Sequence, residues 1–135
     1  MTEQNSRPLP EPTPDDHEFW EGTKRHELLI QCCTDCSVSR IGSPICPKCG
    51  STRYAWEQAS GLAKVYSWAV IHQRYHPAFS NDIPYNVAIV ELDEGPRMVC
   101  NIIECSNDTI HIGMSLEVVF QEVSTAITLP MFKPM

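Results

Sequence analysis

Beyond residue 61 the apolar residues of this chain fall in short runs, several of them alternating, and nowhere there with the sustained 3.6-residue period of a helix. Leu62 to Gln73, Pro84 to Asp93, Arg97 to Cys105, Leu116 to Val123 and Ile127 to Phe132 are rich in β-branched and aromatic residues and predict five strands. Leu116, Val118 and Phe120 alternate with Glu117, Val119 and Gln121, the period of a half-buried strand. In the first segment both faces are apolar around Tyr66 to Val70, as expected where a strand curves through a small closed sheet. The D-E-G-P sequence at 93–96 suits a hairpin, and Asn107, Asp108 and Gly113 break the run before the fourth strand. Five short strands that close to remove their exposed edges predict an OB-type barrel over 61–135.

Upstream the texture differs. Residues 1–13 are polar, contain Pro8, Pro10 and Pro12, and predict a flexible or extended arm. Thr13 has the chemistry of a helix N-cap, Pro14 suits the first helical position and Asp16 follows three residues after the cap, predicting a short helix over 14–27. Phe19, Trp20 and Thr23 share one side of it. The two aromatic residues either pack on the protein's own body or anchor a partner subunit, since aromatic anchors concentrate in interface cores. Leu28 to Ile30 then lead into a cysteine-rich stretch as a strand, and Ser51 to Trp56 leave it as another.

Cys33-Thr34-Asp35-Cys36 and, nine residues on, Cys46-Pro47-Lys48-Cys49 form two knuckles that together supply four thiolates, a tetrahedral set for one structural Zn2+. Gly50 follows the second knuckle where a left-handed residue is needed; Ser37 occupies that place in the first and fits it less well. The pattern predicts a rubredoxin-like zinc ribbon over 28–60. Buried or disulfide-bonded cysteines and an iron site are the alternatives that the spacing allows. Four thiolates close the coordination sphere, so a zinc ion here is expected to be structural rather than catalytic.

Composition narrows the class. With 135 residues and 42% hydrophobic content the chain suits one small folded unit with an appendage. No apolar run approaches the length of a membrane span and the first residues lack the pattern of a signal peptide, which gives a cytoplasmic expectation and no membrane partner. In a reducing compartment four of the seven cysteines make sense as metal ligands and the rest as free thiols. The formal net charge of -7, with basic residues scattered except for Lys24-Arg25, weighs against nucleic acid as the partner. A single-stranded nucleic-acid-binding OB module, with Tyr66, Trp68 and Tyr75 stacking on bases, is the reading from a different functional class.

At the level of motifs, L-L-I-Q-C-C-T-D-C, P-I-C-P-K-C-G-S, G-L-A-K-V-Y-S-W-A-V-I-H-Q, P-Y-N-V-A-I-V-E-L-D-E-G-P-R, I-G-M-S-L-E-V-V-F and the closing L-P-M-F-K-P resemble the zinc-ribbon/OB-fold family known as domain of unknown function thirty-five. The likeness runs from residue 14 to the end. Cys32 stands where that family usually has a basic residue and Ser37 where it usually has glycine; neither change removes a ligand. The resemblance implies an accessory subunit, not itself the catalyst, bound to a thiolase-fold protein and reaching an acyl-CoA substrate through the complex. A steroid or other bulky acyl-CoA side-chain aldolase or lyase is the favoured complex, with an acyltransferase or a hydratase as alternatives.

No G-x-S-x-G, Walker or dinucleotide glycine motif contradicts this. His72 and His76, with Tyr75 between them, stand near the end of the first barrel strand and are read as surface or partner-contact residues rather than as general bases. Phe79, in the long connection that follows, is expected to touch the partner or the acyl chain, with a plain surface loop as the other reading. Met131 and Phe132 in the apolar tail are expected to form an exposed docking patch. Cys100 and Cys105 are placed on opposite faces of the third strand as small hydrophobes.

Overall fold

Backbone hydrogen bonding sorts the chain into two antiparallel sheets preceded by one helix. The computed structural model describes residues 8–135, and among these α1 (His17–Lys24) is followed by β1 (Leu29–Cys33), β2 (Ser39–Arg40) and β3 (Tyr54–Gln58). Then come β4 (Leu62–Ile71), β5 (Tyr85–Leu92), β6 (Arg97–Cys100), β7 (Ser115–Glu122) and β8 (Thr128–Pro134). The first sheet has the order β2-β1-β3 and the second β6-β5-β4-β7-β8. Of the arm expected at 1–13, residues 1–7 lie outside the described residues, and 8–13 have no regular structure.

The helix is shorter at both ends than its sequence suggests. Thr13 directs its backbone N–H and its hydroxyl to Asp16 Oδ1, at 2.6 and 3.1 Å, so Asp16 stands at the N-cap and residues 14–16 form a turn. At the other end His26 takes a left-handed conformation with φ 62. Its N–H bonds to Thr23 O and that of Glu27 to Gly22 O, both at 2.9 Å, the paired bonds of a Schellman stop. Gly22 lets the helix lie close on β1, because a Cβ there would come within 2.7 Å of Leu29 Cγ.

β4 organises the barrel. It pairs with β5 along most of its length and with β7 at its start, and a bulge between Val65 and Ser67 bends it between the two partners. The D-E-G-P turn closes the β5–β6 hairpin through Gly95 N–H to Leu92 O. Closure comes where the chain beyond β6 meets β8: Ile102 and Phe132 form a parallel bridge, with Ile103 N–H to Phe132 O at 2.8 Å. Asn86 holds that segment by exchanging two side-chain bonds with the backbone of Ile102, each 2.8 Å, so its amide replaces a missing strand partner.

Two expectations are corrected here. β6 ends at Cys100, so Cys105 lies outside the strand and their relative facing does not follow from strand parity. Burial pushes the Cys100 thiol up to about 12, which keeps it a protonated, small apolar group. Phe132 is not an exposed anchor but is 0% exposed, and Met131 is 9% exposed. Their tail is the barrel's closing strand, and Phe132 fills the core beside Leu116, Val90 and Val65. Leu28, Ile30 and Ala59 belong to the same core, so the start and end of the cysteine-bearing sheet are anchored in the barrel.

Gly61 joins the two sheets at φ +85, and a Cβ on it would sit 2.7 Å from Val118 Cγ1. Gly61→Ala is therefore expected to destabilise the protein by about 2 kcal/mol, combining left-handed strain with displacement of a packed valine. Thermal unfolding monitored by circular dichroism reads the effect; an unchanged melting temperature would contradict it.

Candidate metal centre and partner face

The two knuckles are built alike. In the first, Cys33 N–H bonds to Val38 O and Ser37 N–H to Cys33 O; in the second, Cys46 N–H bonds to Ser51 O and Gly50 N–H to Cys46 O. Ser37 takes φ 68 and Gly50 φ 77, so the serine adopts the left-handed turn despite its Cβ. The four ligand sulfurs of Cys33, Cys36, Cys46 and Cys49 all lie within 4.8 Å of one another, with Cys33–Cys49 at 3.6 Å and Cys36–Cys46 at 3.5 Å. A tetrahedral zinc–thiolate site with bonds of about 2.3 Å has sulfur–sulfur edges of about 3.8 Å, so the cluster matches a four-sulfur metal site in size and donor set. Four such groups close together could hold a metal ion.

Electrostatics around the sulfurs favour charge on one of them first. Backbone N–H groups of Cys49 and Lys48 turned toward Cys46 bring its thiol down to about 6. At Cys49 the Ser51 N–H favours the thiolate, but burial and the neighbouring sulfurs outweigh it and push the thiol up to about 12. A cation among the sulfurs removes that mutual repulsion. Asp35, inside the first knuckle, accepts from Ser51 Oγ and pairs with Arg53 beyond the second, which holds its carboxyl below the usual range and ties the knuckles together.

The other residues singled out by sequence separate into two places. Phe19 and Trp20 meet edge to face, centroids 4.9 Å apart, and line two adjoining hollows. One, of about 680 Å3, runs between α1, β6 and the start of β8; the other, of about 590 Å3, lies between α1 and the cysteine-bearing sheet. His72, Tyr75 and His76 are exposed in the β4–β5 connection rather than on a strand, Tyr75 at 73%. His76 Nδ1 accepts from Ala78 N–H at 3.0 Å and so caps the 3-10 turn Pro77–Asp82, a structural task. Phe79 meets His76 edge to face and Tyr85 at a tilt, with ring centroids 5.7 and 6.0 Å away, and lines a third hollow of about 310 Å3.

Apart from Tyr66, sequence reasoning missed the outer face of β4, β5 and β6. Tyr66 is 46% exposed, Ile89 36% and Val99 66%, with the Arg97 guanidinium 3.7 Å over the Tyr66 ring. Alternation along β5 and β6 carried that signal, since Ile89 and Val99 are cross-strand partners on the face opposite the core. It also missed the buried pair Gln31 and Arg40 on neighbouring strands, whose Oε1 and Nη atoms have no hydrogen-bond partner among the described residues.

A helix, a two-knuckle cysteine ribbon and an OB barrel sharing one core define the class: a ribbon–barrel module with a metal-competent four-sulfur cluster. Over 77% of its length the chain is 36% identical to a DUF35 domain-containing scaffold protein of Methanocaldococcus jannaschii, 75% of which it covers. The chain belongs to the DUF35 family. A solved structure described as Ltp2-ChsH2(DUF35) aldolase superposes with a TM-score of 0.82 at 39% identity, over 93% of this chain and 98% of that one. The family description "ChsH2, C-terminal OB-fold domain" matches residues 56–121. A probable enoyl-CoA hydratase alpha subunit of Thermomonospora curvata is 42% identical over 99% of this chain, which spans only 43% of that longer protein.

Proposed function

We propose that this chain is a non-catalytic scaffold subunit of an acyl-CoA enzyme, folded around a structural zinc ion and bound to a thiolase-fold catalytic partner. The observation that carries the reading is the likeness, along nearly the whole of both chains, to the DUF35 chain of an aldolase. Cys33, Cys36, Cys46 and Cys49 would hold the zinc, which supplies a cross-link and no open coordination position. Phe19 and Trp20, with the exposed face of Tyr66, Ile89 and Val99, supply apolar surface for a partner, and His72, Tyr75 and Phe79 remain candidate contacts at the far end of β4. The favoured reaction of the complex is cleavage of a β-hydroxyacyl-CoA with a bulky, steroid-like acyl group. Cytoplasmic residence belongs to the same reading, because thiolates persist in a reducing compartment.

A hydratase complex is the second reading, favoured by the likeness, along 99% of this chain and 43% of that relative, to a probable hydratase alpha subunit. Affinity capture of the tagged chain from its host, with intact-mass measurement, separates the two. A thiolase-fold protein recovered at fixed stoichiometry, with cleavage of a β-hydroxyacyl-CoA only in the complex, is the expected result. Recovery of a hydratase subunit would favour the second reading. Turnover by the isolated chain, or salt-sensitive binding of single-stranded nucleic acid with no protein partner, would overturn both.

A further inference from the structure

The hollow between α1 and the cysteine-bearing sheet has an unusual lining. Its walls include Phe19, Trp20, Tyr54 and Trp56, and its only charged residues are Asp15 and Asp16. Gln31 also lines it; this side chain is 4% exposed, and its Oε1 acceptor has no hydrogen-bond partner among the described residues. The hydrogen bonds from Thr13 hold the Asp16 carboxyl below its usual range, which keeps it ionised. Arg40, the buried cross-strand neighbour of Gln31, stacks on Tyr54, 5.1 Å from the ring centroid; its two Nη donors have no hydrogen-bond partner among the described residues either, and it is not part of the lining.

Aromatic faces attract a cation through the ring quadrupole, carboxylates attract it directly, and a buried orphan acceptor gains a donor when one enters. A neutral apolar plug would leave that acceptor unpaired. The chain's net charge of -7 adds a long-range field of the same sign. We propose that this cleft receives a cationic side chain, lysine or arginine on its apolar stem, supplied by the partner subunit. The identity of the supplier rests on the function proposed above; the preference of the cleft for a cation does not.

Two measurements test this. In the first, the full metal-bound chain, labelled with nitrogen-15, is titrated with n-butylguanidinium chloride and separately with n-pentanol at constant ionic strength, following the indole N–H signals of Trp20, Trp56 and Trp68. Saturable shifts at Trp20 and Trp56 with the cation, absent with the alcohol and lost in Asp15→Lys, are expected. Trp68 lies outside the cleft lining and serves as the internal reference. Equal responses to both probes, shifts centred on Trp68, or no response would overturn the proposal.

In the second, the purified thiolase-fold subunit is bound to wild type and to Asp15→Lys, a change at an exposed turn position whose fold is checked by an unchanged circular dichroism melting temperature. Affinity about tenfold weaker, with a flatter salt dependence, is expected. Equal affinity would overturn the proposal. A wild-type chain that shows the cation shifts yet fails to bind the subunit would count against the proposed function while upholding the cation cleft.

Discussion

Stripping the metal with a high-affinity chelator is expected to unfold the two knuckles while the barrel stays folded. Structural zinc in small ribbons contributes an apparent binding free energy of about 10–16 kcal/mol at neutral pH, most of it expressed as folding. Between Cys33 and Thr52 the regular structure is limited to the two residues of β2, and its one buried hydrophobic residue besides Cys33 is Cys46, itself a ligand, so little else holds this segment. The rest of the sheet differs, because Leu28, Ile30 and Ala59 are packed in the barrel core. Amide exchange should thus rise sharply across the knuckles and little at Leu28 to Ile30 or in β4 and β5. Cys46→Ser is expected to reproduce the effect and to lower metal content well below one ion per chain. Because the sulfurs must lose their protons to bind, metal retention should weaken as the pH falls. Knuckle amides that stay protected in metal-free protein would show that the cluster is not what folds the ribbon.

Phe132→Ala is expected to be the most damaging single change in the barrel. The ring is fully buried, and the backbone of the same residue makes the closing bridge to Ile102 and bonds to Asn101 and Ile103. Truncating a buried phenylalanine costs about 3–5 kcal/mol through lost transfer energy and the cavity left behind. For a chain of this size that lowers the melting temperature by about 10–20 °C. Calorimetry on wild type and variant reads it directly. A shift of only a degree or two, together with lost partner binding, would restore the exposed docking role that the sequence suggested for the tail.

How much could be read in advance followed from whether a signal was local. The C-x-x-C spacings specify two knuckles because each ligand pair sits on one short turn, and the structure brings all four sulfurs within 4.8 Å. The order of the five barrel strands along the chain was legible from β-branched runs and the D-E-G-P turn, since both act within a few residues. The helix ends were misjudged because Thr13 spends its hydroxyl on Asp16, and because His26 makes a left-handed stop that is usually a glycine's place. The strand expected to run from Arg97 to Cys105 ends at Cys100, where Asn86 takes over the pairing of Ile102 from sixteen residues away.

By itself, then, the sequence determined the elements and the gathering of four sulfurs: a helix, two cysteine knuckles and a set of curved strands, each encoded by spacing and turn residues that act over short range. Tertiary structure alone decided that the apolar closing tail belongs to the core. Met131 with Phe132, and Ile89 with Val99, are similar apolar pairs in strand-like runs, yet closure of the barrel buries the first pair and leaves the second open to solvent. Burial is a property of the closed sheet, fixed by the pairing of Ile102 with Phe132 across thirty residues of chain, and no local pattern encodes that contact.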